Sequence, residues 1–268
     1  MTARINHLGQ PIGWAVPDWT ACARPPRTPM EGRTVRLEPL DPAAHTDALW
    51  DAFSRDETGR MWTYLPVGPY TDRGAFDTAL AANAASEDPL FFAVIDRTTG
   101  KAVGFCTYLR IDPANGVIEV GFITFSPLLQ RTTGSTEAMY LMMARVFDEL
   151  GYRRYEWKCD TLNAPSKAAA ARLGFTYEGL FRQAVMYKGR NRDTAWFSIL
   201  DSEWPAIKTA FQVWLDPANF DDEGRQKRSL AALIAERRGS LPGGRRCVDP
   251  DVRQDDGGWW MVGVVDDG

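Results

Sequence analysis

The sequence has no excess of one charge and no long apolar run. Thirty-one basic residues stand against 35 acidic ones in a chain of 268 residues, which leaves a formal net charge of −4. This balance offers no basic surface for a phosphate backbone, so nucleic acid is not expected as a partner. No stretch approaches the roughly 18 apolar residues of a membrane span, and residues 1–10 lack the apolar run of a signal peptide. We therefore expect no membrane association and a cytoplasmic location.

Cysteine and histidine are scarce, which removes several kinds of site. The four cysteines lie far apart with no CxxC pair, and the only histidines are His7 and His45. Neither a disulfide framework nor a zinc site is indicated, and no metal is expected. With two isolated histidines and no GxSxG segment, a Ser-His-acid hydrolase is poorly supported. The GxxxxGKS, GxxxxGKT and GxGxxG patterns are also missing, so nucleotide hydrolysis and dinucleotide redox chemistry lose their main indications.

The chain does contain enough apolar sequence, 44% of its residues, to bury a full core. Five prolines in the first 30 residues predict an extended N-terminal arm with little regular structure. The remaining patterns predict strand 34–40, helices 42–53 and 72–85, strands 90–95, 102–111 and 117–125, helix 134–150, strand 154–158, helix 163–173, strands 175–188 and 193–200, and helices 203–215 and 224–237. This order belongs to the mixed α/β or α+β class.

The patterns also divide the chain into four parts. We expect the arm over residues 1–30, one α/β domain over 31–215, a C-terminal helix within 216–238 and a flexible tail over 239–268. The tail has seven glycines, and six aspartates against three arginines, a composition typical of disorder. Its apolar end, residues 259–265, could instead add a strand to a sheet edge.

The most informative segment is residues 119–137, which read EVGFITFSPLLQRTTGSTE. A predicted strand runs out through Pro127 into a glycine-containing loop that opens a predicted helix. Backbone N–H groups at a helix N-terminus are unpaired and the helix dipole adds partial positive charge, so this arrangement binds anions such as a pyrophosphate. The alternative is an ordinary helix cap formed by Thr133 or Gly134.

This segment, the later segment NAPSKAAAARLGF and the order of elements around them resemble the GNAT superfamily of N-acetyltransferases, and within it the RimJ/RimL-like branch. The resemblance covers about residues 32–214. It implies a largely antiparallel central sheet flanked by helices, with an N-terminal arm and a C-terminal helical extension added in this chain. It also implies that the protein uses acetyl-coenzyme A (acetyl-CoA) as its cosubstrate and transfers the acetyl group to an amine.

The resemblance assigns the binding of the coenzyme pyrophosphate to the loop. Backbone amides would hold it, with added side-chain contacts from Gln130 and Arg131, although Arg131 is equally well interpreted as a solvated charge. The loop residues are Arg131, Thr132, Thr133, Gly134, Ser135 and Thr136. Thr136 departs from the family pattern, which has glycine or alanine there, and we expect its β-branched side chain to narrow the approach to the phosphates.

The second segment implies two further contacts with the coenzyme. By resemblance, Asn163 binds the amides of the pantetheine arm and the helix that follows lies alongside it. Many relatives place a tyrosine acid where this chain has Ala170, so the role of donor to the departing thiolate passes to Ser166, as in RimL-like enzymes. The alternative is that Asn163 and Ser166 only cap the helix.

The chemistry requires a neutral amine, a proton acceptor and a donor to the developing oxyanion. We expect the donor to be a backbone N–H of Phe122, Ile123 or Thr124, where the strand separates from its neighbour. For the proton acceptor we favour Glu119, because a carboxylate inside an apolar run is costly to bury without a reason. The alternative is a structural Glu119 paired with Arg110 or another base.

The acceptor itself is a primary amine, either a protein N-terminus or a small molecule. The aromatic loop of Trp62, Tyr64 and Tyr70 is expected to line its pocket, together with Tyr187 of the last hairpin. The alternative for the loop is a hydrophobic plug over the core. A homodimer is one option for the oligomeric state, which is left open. Because Thr136 and Ala170 depart from the family pattern, a non-catalytic acyl-CoA sensor or structural module is the competing interpretation.

Overall fold

Most of the α-helices begin where the sequence supplies a capping side chain, and the helix that begins at Trp204 is the exception among residues 4–239. In the computed structural model, which describes residues 4–239, the Asp41 side chain accepts a hydrogen bond from Ala43 N at 3.0 Å and the Asp72 side chain accepts one from Ala75 N at 2.6 Å. The α-helices of this part of the chain are α1 (Pro42–Phe53), α2 (Arg73–Ala85), α3 (Thr133–Ala144), α4 (Ala164–Arg172), α5 (Trp204–Leu215) and α6 (Leu230–Gly239). None of them is long and apolar enough to cross a membrane.

The helix predicted over residues 134–150 is continuous, but its last turn is wound differently. Residues Arg145–Glu149 form a π-helical turn in which Leu150 N donates to Arg145 O at 3.1 Å. The Arg145 guanidinium, which is buried, donates to the carbonyl oxygens of Thr28 and Pro29 at 2.7 and 2.8 Å. The end of α3 thereby holds the end of the N-terminal arm.

The C-terminal helix begins later than predicted. Ser229 Oγ accepts a hydrogen bond from Ala232 N at 3.2 Å, and this cap sets the start of α6 at Leu230, not at residue 224. Within residues 216–229, Pro217–Asn219 forms a short 3-10 turn and the rest is loop. The predicted flexible tail lies outside the described residues except for Gly239. The division of the chain at residues 30 and 215 stays a prediction.

Most of the strands belong to one large sheet. The strands are β1 (Arg4–Ile5), β2 (Pro11–Ile12), β3 (Met30–Glu31), β4 (Val35–Pro39), β5 (Leu90–Asp96), β6 (Ala102–Asp112), β7 (Val117–Phe125), β8 (Arg154–Asp160), β9 (Thr176–Tyr187) and β10 (Arg190–Leu200). The short hairpin of β1 and β2 lies within the predicted arm. The other eight strands follow the order β3-β4-β5-β6-β7-β8-β10-β9, and all neighbours are antiparallel except β7 and β8. The predicted mixed class with a largely antiparallel sheet is confirmed.

The sheet carries a hydrophobic core on each face. On one face, β4–β8 and β10 pack against α3, α4, α5 and α6. On the other face, β5 and β6 pack against α1 and α2. Strand β5 is buried on both sides, as its continuous apolar run predicts: Phe92 and Val94 face the first core, while Phe91 and Ala93 face the second.

A buried carboxylate on α3 fixes the start of β4. Glu137 is 5% exposed and accepts hydrogen bonds from the backbone amides of Arg33, Thr34 and Val35 at 2.8, 2.6 and 3.1 Å, and from the Thr34 hydroxyl. Gly32 lies against the same carboxylate, where a Cβ would come within 2.8 Å of Glu137 Cδ. This contact joins α3 to the sheet without a neighbouring cation.

We expect Glu137→Gln to lower the free energy of unfolding by about 1–3 kcal/mol, because the amide replaces an anionic acceptor with a group that presents two donors to backbone N–H groups. Urea unfolding of the full chain measures the change. Glu149→Gln is the matched control, since that side chain is 57% exposed and its loss should cost less than about 0.5 kcal/mol. Equal effects of the two substitutions would contradict the assigned role of Glu137.

Candidate active site

The sheet opens between its two parallel strands. The ladder of β7 and β8 starts at Val117 opposite Arg154 and ends at Val120 opposite Trp157, while both strands continue beyond that pair. Past the last pair, Phe122 has a φ of 44° and the register of β7 against β6 shifts, which marks a bulge. A gap therefore opens in mid-sheet, and Phe122, Ile123 and Thr124 lie along its β7 side.

The N-terminus of α3 lies just after β7 and keeps several free amides. Its cap is Thr132, whose hydroxyl accepts from Ser135 N at 3.2 Å, so neither Thr133 nor Gly134 is the cap. Among residues 4–239, the amides of Arg131, Thr133 and Gly134 have no hydrogen-bond partner. Free N–H groups at the positive end of a helix dipole form an anion site.

Close packing fixes the position of this loop. Gly134 is buried against β4, where a Cβ would come within 2.8 Å of Val35 Cγ1, so only glycine fits without a shift. Gln130 connects the loop to the end of β7, because its Nε2 donates to Phe125 O at 2.7 Å. Arg131 is exposed and has a φ of 64°. The side chain of Gln130 is thus engaged within the protein, while that of Arg131 extends from the loop.

Thr136 points into the protein and does not cover the loop amides. It is 3% exposed, and its hydroxyl accepts from Arg172 Nη1 at 3.1 Å. The expected narrowing of the phosphate approach by Thr136 is therefore not what the structure shows. Ala170, which stands where relatives have tyrosine, is fully buried in the first core.

Arg172 is a site residue that sequence reasoning missed. Its guanidinium stacks over the Trp214 ring with 5.0 Å between Cζ and the ring centroid, and burial lowers the pKa of Arg172. No carboxylate of the described chain forms an ion pair with it. A largely buried cation beside the first turn of α3 and without a counter-charge suits an anionic ligand. The only sequence feature that could have indicated Arg172 was its position as an arginine near the end of an alanine-rich helix.

Helix α4 begins at the two residues of the second segment that were predicted to contact the coenzyme, Asn163 and Ser166. Asn163 caps it through Oδ1, which accepts from Ser166 N at 3.1 Å, and Asn163 Nδ2 has no partner in the described part of the chain. The Ser166 hydroxyl accepts from Trp157 Nε1 at 3.0 Å. Its own proton lies within reach of the Cys159 thiol: burial raises the pKa of Cys159 to about 11, and a hydrogen bond with Ser166 offsets part of that rise. Trp157 belongs to the first core, so Ser166 reaches the gap from the face that carries α3 and α4.

Glu119 lies on the opposite face of the same gap. Its neighbours Ile118 and Val120 point into the first core, so the carboxylate between them projects to the other side. It is 3% exposed, and its Oε2 accepts from Arg110 Nη1 at 2.7 Å and Lys158 Nζ at 2.8 Å. Burial raises the pKa of Glu119, and the two cations offset part of that rise. The pairing with Arg110 was foreseen, whereas Lys158 was not.

Lys158 belongs to a row of charges along β8 that sequence reasoning also missed. Arg154, Glu156, Lys158 and Asp160 alternate with the buried side chains Tyr155, Trp157 and Cys159. The charged residues share the face of Glu119, where Lys158 Nζ also contacts Glu156 Oε2 at 2.6 Å. The strict alternation of RYEWKCD was a readable signal for this polar face.

Two of the four residues predicted to meet the acceptor, Tyr64 and Tyr187, lie along the edge of this polar face. Tyr64 OH donates to Leu162 O at 3.0 Å, and Tyr187 OH donates to Asp160 Oδ2 at 2.8 Å. Burial, followed by the Asp160 hydrogen bond, raises the pKa of Tyr187 to about 12, so the phenol stays a donor at neutral pH. Trp62 is 4% exposed in the second core, and Tyr70 packs against its ring. The packing of Trp62 thus agrees with the alternative interpretation of the aromatic loop as a hydrophobic plug over the core.

A mid-sheet gap, a carboxylate on one face, a hydroxyl on the other and a helix N-terminus at its mouth define an acyl-CoA-dependent transferase. A sequence profile for the acetyltransferase (GNAT) domain matches residues 34–176. The chain belongs to the GNAT acetyltransferase family and is an acetyl-CoA-dependent acyltransferase.

Proteins of known sequence or structure resemble the chain over most of their length. A GCN5-related N-acetyltransferase from Brucella melitensis is 52% identical, with a TM-score of 0.80 over 81% of this chain and 99% of its own. The uncharacterized N-acetyltransferase p20 of Bacillus licheniformis is 30% identical over 65% of this chain and 96% of its own. An acetyltransferase of Salmonella typhimurium that modifies the N-terminal serine of a 50S ribosomal subunit protein is 19% identical, with a TM-score of 0.56 over 64% of this chain and 98% of its own. That last likeness is one of fold alone.

Proposed function

We propose that this protein transfers the acetyl group of acetyl-CoA to a primary amine by direct attack within a ternary complex. The observation that carries the proposal is the gap beyond Val120 and Trp157, with Glu119 on one face and Ser166 on the other. A thioester that enters from the face of α3 and α4 would meet an amine that arrives from the face of Glu119. Both reactants are then held at once, and no covalent acetyl-protein step is needed.

The residues present fit the coenzyme. The free amides of Arg131, Thr133 and Gly134 would hold the pyrophosphate, and Arg172 would supply the counter-charge that the helix dipole alone lacks. Asn163 keeps Nδ2 available for a carbonyl oxygen of the pantetheine arm. The coenzyme supplies an acetyl group activated as a thioester, and the protein supplies its placement.

Glu119 is the proton acceptor in this proposal. Its Oε2 is occupied by two cations, while Oε1 has no hydrogen-bond partner among residues 4–239. Glu119 Oε1 would take a proton from the attacking amine, directly or through one water, as the C–N bond forms. A raised pKa makes this carboxylate a stronger base than an exposed glutamate, provided that it stays ionised.

Ser166 and the backbone of β7 would act on the other two atoms of the reaction. An amide of Phe122, Ile123 or Thr124 would donate to the carbonyl oxygen as negative charge develops there. Ser166 Oγ would donate to the sulfur as the C–S bond breaks, and the thiolate would then take its proton from solvent. Trp157 Nε1 orients the hydroxyl for this, because it occupies a lone pair, and the O–H would turn from the Cys159 thiol to the coenzyme sulfur.

The acceptor is proposed to bind over the polar face of β8, beneath the loop that carries Trp62, Tyr64 and Tyr70 and beside Tyr187. Lys188 Nζ donates to Trp62 O at 2.7 Å, which ties this loop to the turn between β9 and β10. The Salmonella typhimurium enzyme of the same fold modifies a protein N-terminus. This supports a peptide α-amine as one candidate beside small-molecule amines, in a cytoplasmic setting.

The deciding experiment is a thermal-shift titration with acetyl-CoA followed by an assay of thiol release. The full chain is incubated with acetyl-CoA and a panel of peptides with free N-termini and small amines. We expect stabilisation by acetyl-CoA and thiol release only with a suitable amine. Stabilisation without thiol release across the whole panel would contradict the transferase and favour an acyl-CoA sensor.

Arg172→Gln should raise the KM for acetyl-CoA about 10- to 100-fold, the range expected for the loss of one charge-assisted hydrogen bond to a phosphate. The KM for S-acetylpantetheine, which has no phosphate, should stay the same. Steady-state kinetics with both thioesters measures the difference. Arg225→Gln serves as the control, because Arg225 is exposed and pairs with Asp221 in a distant loop. An equal loss with both thioesters would indicate a packing role instead.

Glu119→Gln should lower kcat/KM about 100-fold or more, as expected for the loss of a general base. Glu119 must be ionised to accept a proton and burial raises its pKa, so wild-type activity should fall as the pH is lowered through a midpoint above the ordinary 4.5. The pH profile is measured with a weakly basic acceptor amine, so that ionisation of the acceptor does not overlap. An acid limb that persists unchanged in the variant would exclude Glu119.

Ser166→Ala should lower kcat about tenfold or more while the affinity for acetyl-CoA stays near that of the wild type, because the hydroxyl acts only as the C–S bond breaks. Tyr187→Phe is the matched comparison, since its hydroxyl is engaged with Asp160 and should be dispensable to this step. Stopped-assay rates and calorimetric affinities separate the two effects. A larger loss in the Tyr187 variant would reverse the assignment.

A further inference from the structure

We propose that Lys158 is a positioning residue that keeps Glu119 ionised by standing between two buried carboxylates. The inference rests on the proposed role of Glu119 as proton acceptor, and it assigns to the neighbouring strand the control of that role. It follows from strand register, contact distances and burial.

The register of the parallel strands places two buried carboxylates side by side. Glu119 of β7 lies directly opposite Glu156 of β8, and the two are 3% and 6% exposed. Neighbouring strands lie about 4.8 Å apart, so two buried carboxylates of like charge stand side by side with little water to screen them. Such a pair tends to share one proton, and a protonated Glu119 could not accept one from an amine.

The Lys158 ammonium lies where it opposes that tendency. Its Nζ contacts Glu119 Oε2 at 2.8 Å and Glu156 Oε2 at 2.6 Å, so one cation serves both carboxylates. The side chain is 6% exposed, and its Nζ lies 3.7 Å from the centroid of the Trp196 ring on β10. The ring completes the enclosure of the ammonium without adding a charge of its own.

The other charges around the pair are weaker partners of Glu119. Arg110 reaches Glu119 Oε2 from β6, but its side chain is 58% exposed and solvent screens its charge. Arg154 contacts Glu156 and Glu178 and does not touch Glu119. Lys158 is thus the one buried cation, among residues 4–239, that contacts both carboxylates. Both cations occupy Oε2, which leaves Oε1 for the proton.

A cation 2.8 Å from a buried carboxylate favours its ionised form, so the titration of Glu119 must move in Lys158→Met, and removal of the second carboxylate must move it back. A role in joining strands and a role in control of the base differ in one respect. If Lys158 only joins strands, the acid limb of the activity stays fixed. If it keeps the base ionised, the acid limb moves with the Glu119 midpoint.

The test follows the Glu119 carboxyl carbon by NMR in the full-length protein with 13C-labelled glutamate, assigned with Glu119→Gln. Without any substrate, Lys158→Met should shift the titration midpoint upward by about 1–3 pH units, the range for loss of a close opposite charge. Lys158→Arg should keep the wild-type midpoint within about half that shift. The double variant Glu156→Gln/Lys158→Met should recover at least half of the shift, because the repelling carboxylate is gone. Lys208→Met is the control for removal of a lysine, because it breaks a partly exposed pair with Asp148. It should not move the titration midpoint of Glu119.

The acid limb of the pH profile of kcat/KM should move with the NMR midpoint across the same variants. An unchanged midpoint in Lys158→Met, or no recovery in the double variant, would overturn the proposal whether or not transfer is detected. A midpoint that moves while the acid limb stays fixed would leave the electrostatic role intact and remove Glu119 as the base. The failure of the present inference is thereby distinguishable from failure of the proposed function.

Discussion

The whole site depends on a short parallel ladder that stops at Val120 and Trp157 while both of its strands continue. Parallel strands are normally covered by helices on both faces, and a crossover helix such as α3 must connect them. Here the second face of β8 carries charged side chains instead of an apolar layer. The bulge at Phe122 turns β7 away from β8, so the backbone groups of a central strand become available to a ligand.

The site also contains charges that a stability argument alone would not place there. The side chains of Glu119, Lys158 and Glu156 are buried together, and Arg172 is largely buried and has no carboxylate partner among residues 4–239. Burial of each charge costs free energy that ion pairing returns only in part. In contrast, the carboxylate of Glu137 is satisfied by backbone amides and has a structural role. A structural charge such as Glu137 thus differs from the charges of the site in that its carboxylate is used up by hydrogen bonds within the protein.

Much of the fold could be predicted from the sequence, because local signals fixed it. Helix α1 was predicted from Asp41 and Pro42, and the structure starts it at the same place. The predicted start of α6 at residue 224 was wrong, because the prediction followed the helical pattern and overlooked the cap at Ser229. The second strand of the last hairpin begins at Arg190, before the predicted residue 193, since the turn needs only Lys188 and Gly189, both with positive φ.

The site was harder to predict, because its partners meet only in three dimensions. The resemblance supplied the loop, and a carboxylate inside an apolar run indicated Glu119, but no sequence spacing relates Arg172 to Thr136 or Lys158 to both carboxylates. Trp214, which supports Arg172, and Leu215, whose carbonyl accepts from Arg33 Nη2 at 3.1 Å, both lie beyond the segment that the family profile matches. Helix α5 therefore supports the residue that we propose to hold the coenzyme phosphates. A segment cut at residue 176, where the profile match ends, would leave Arg172 without that support.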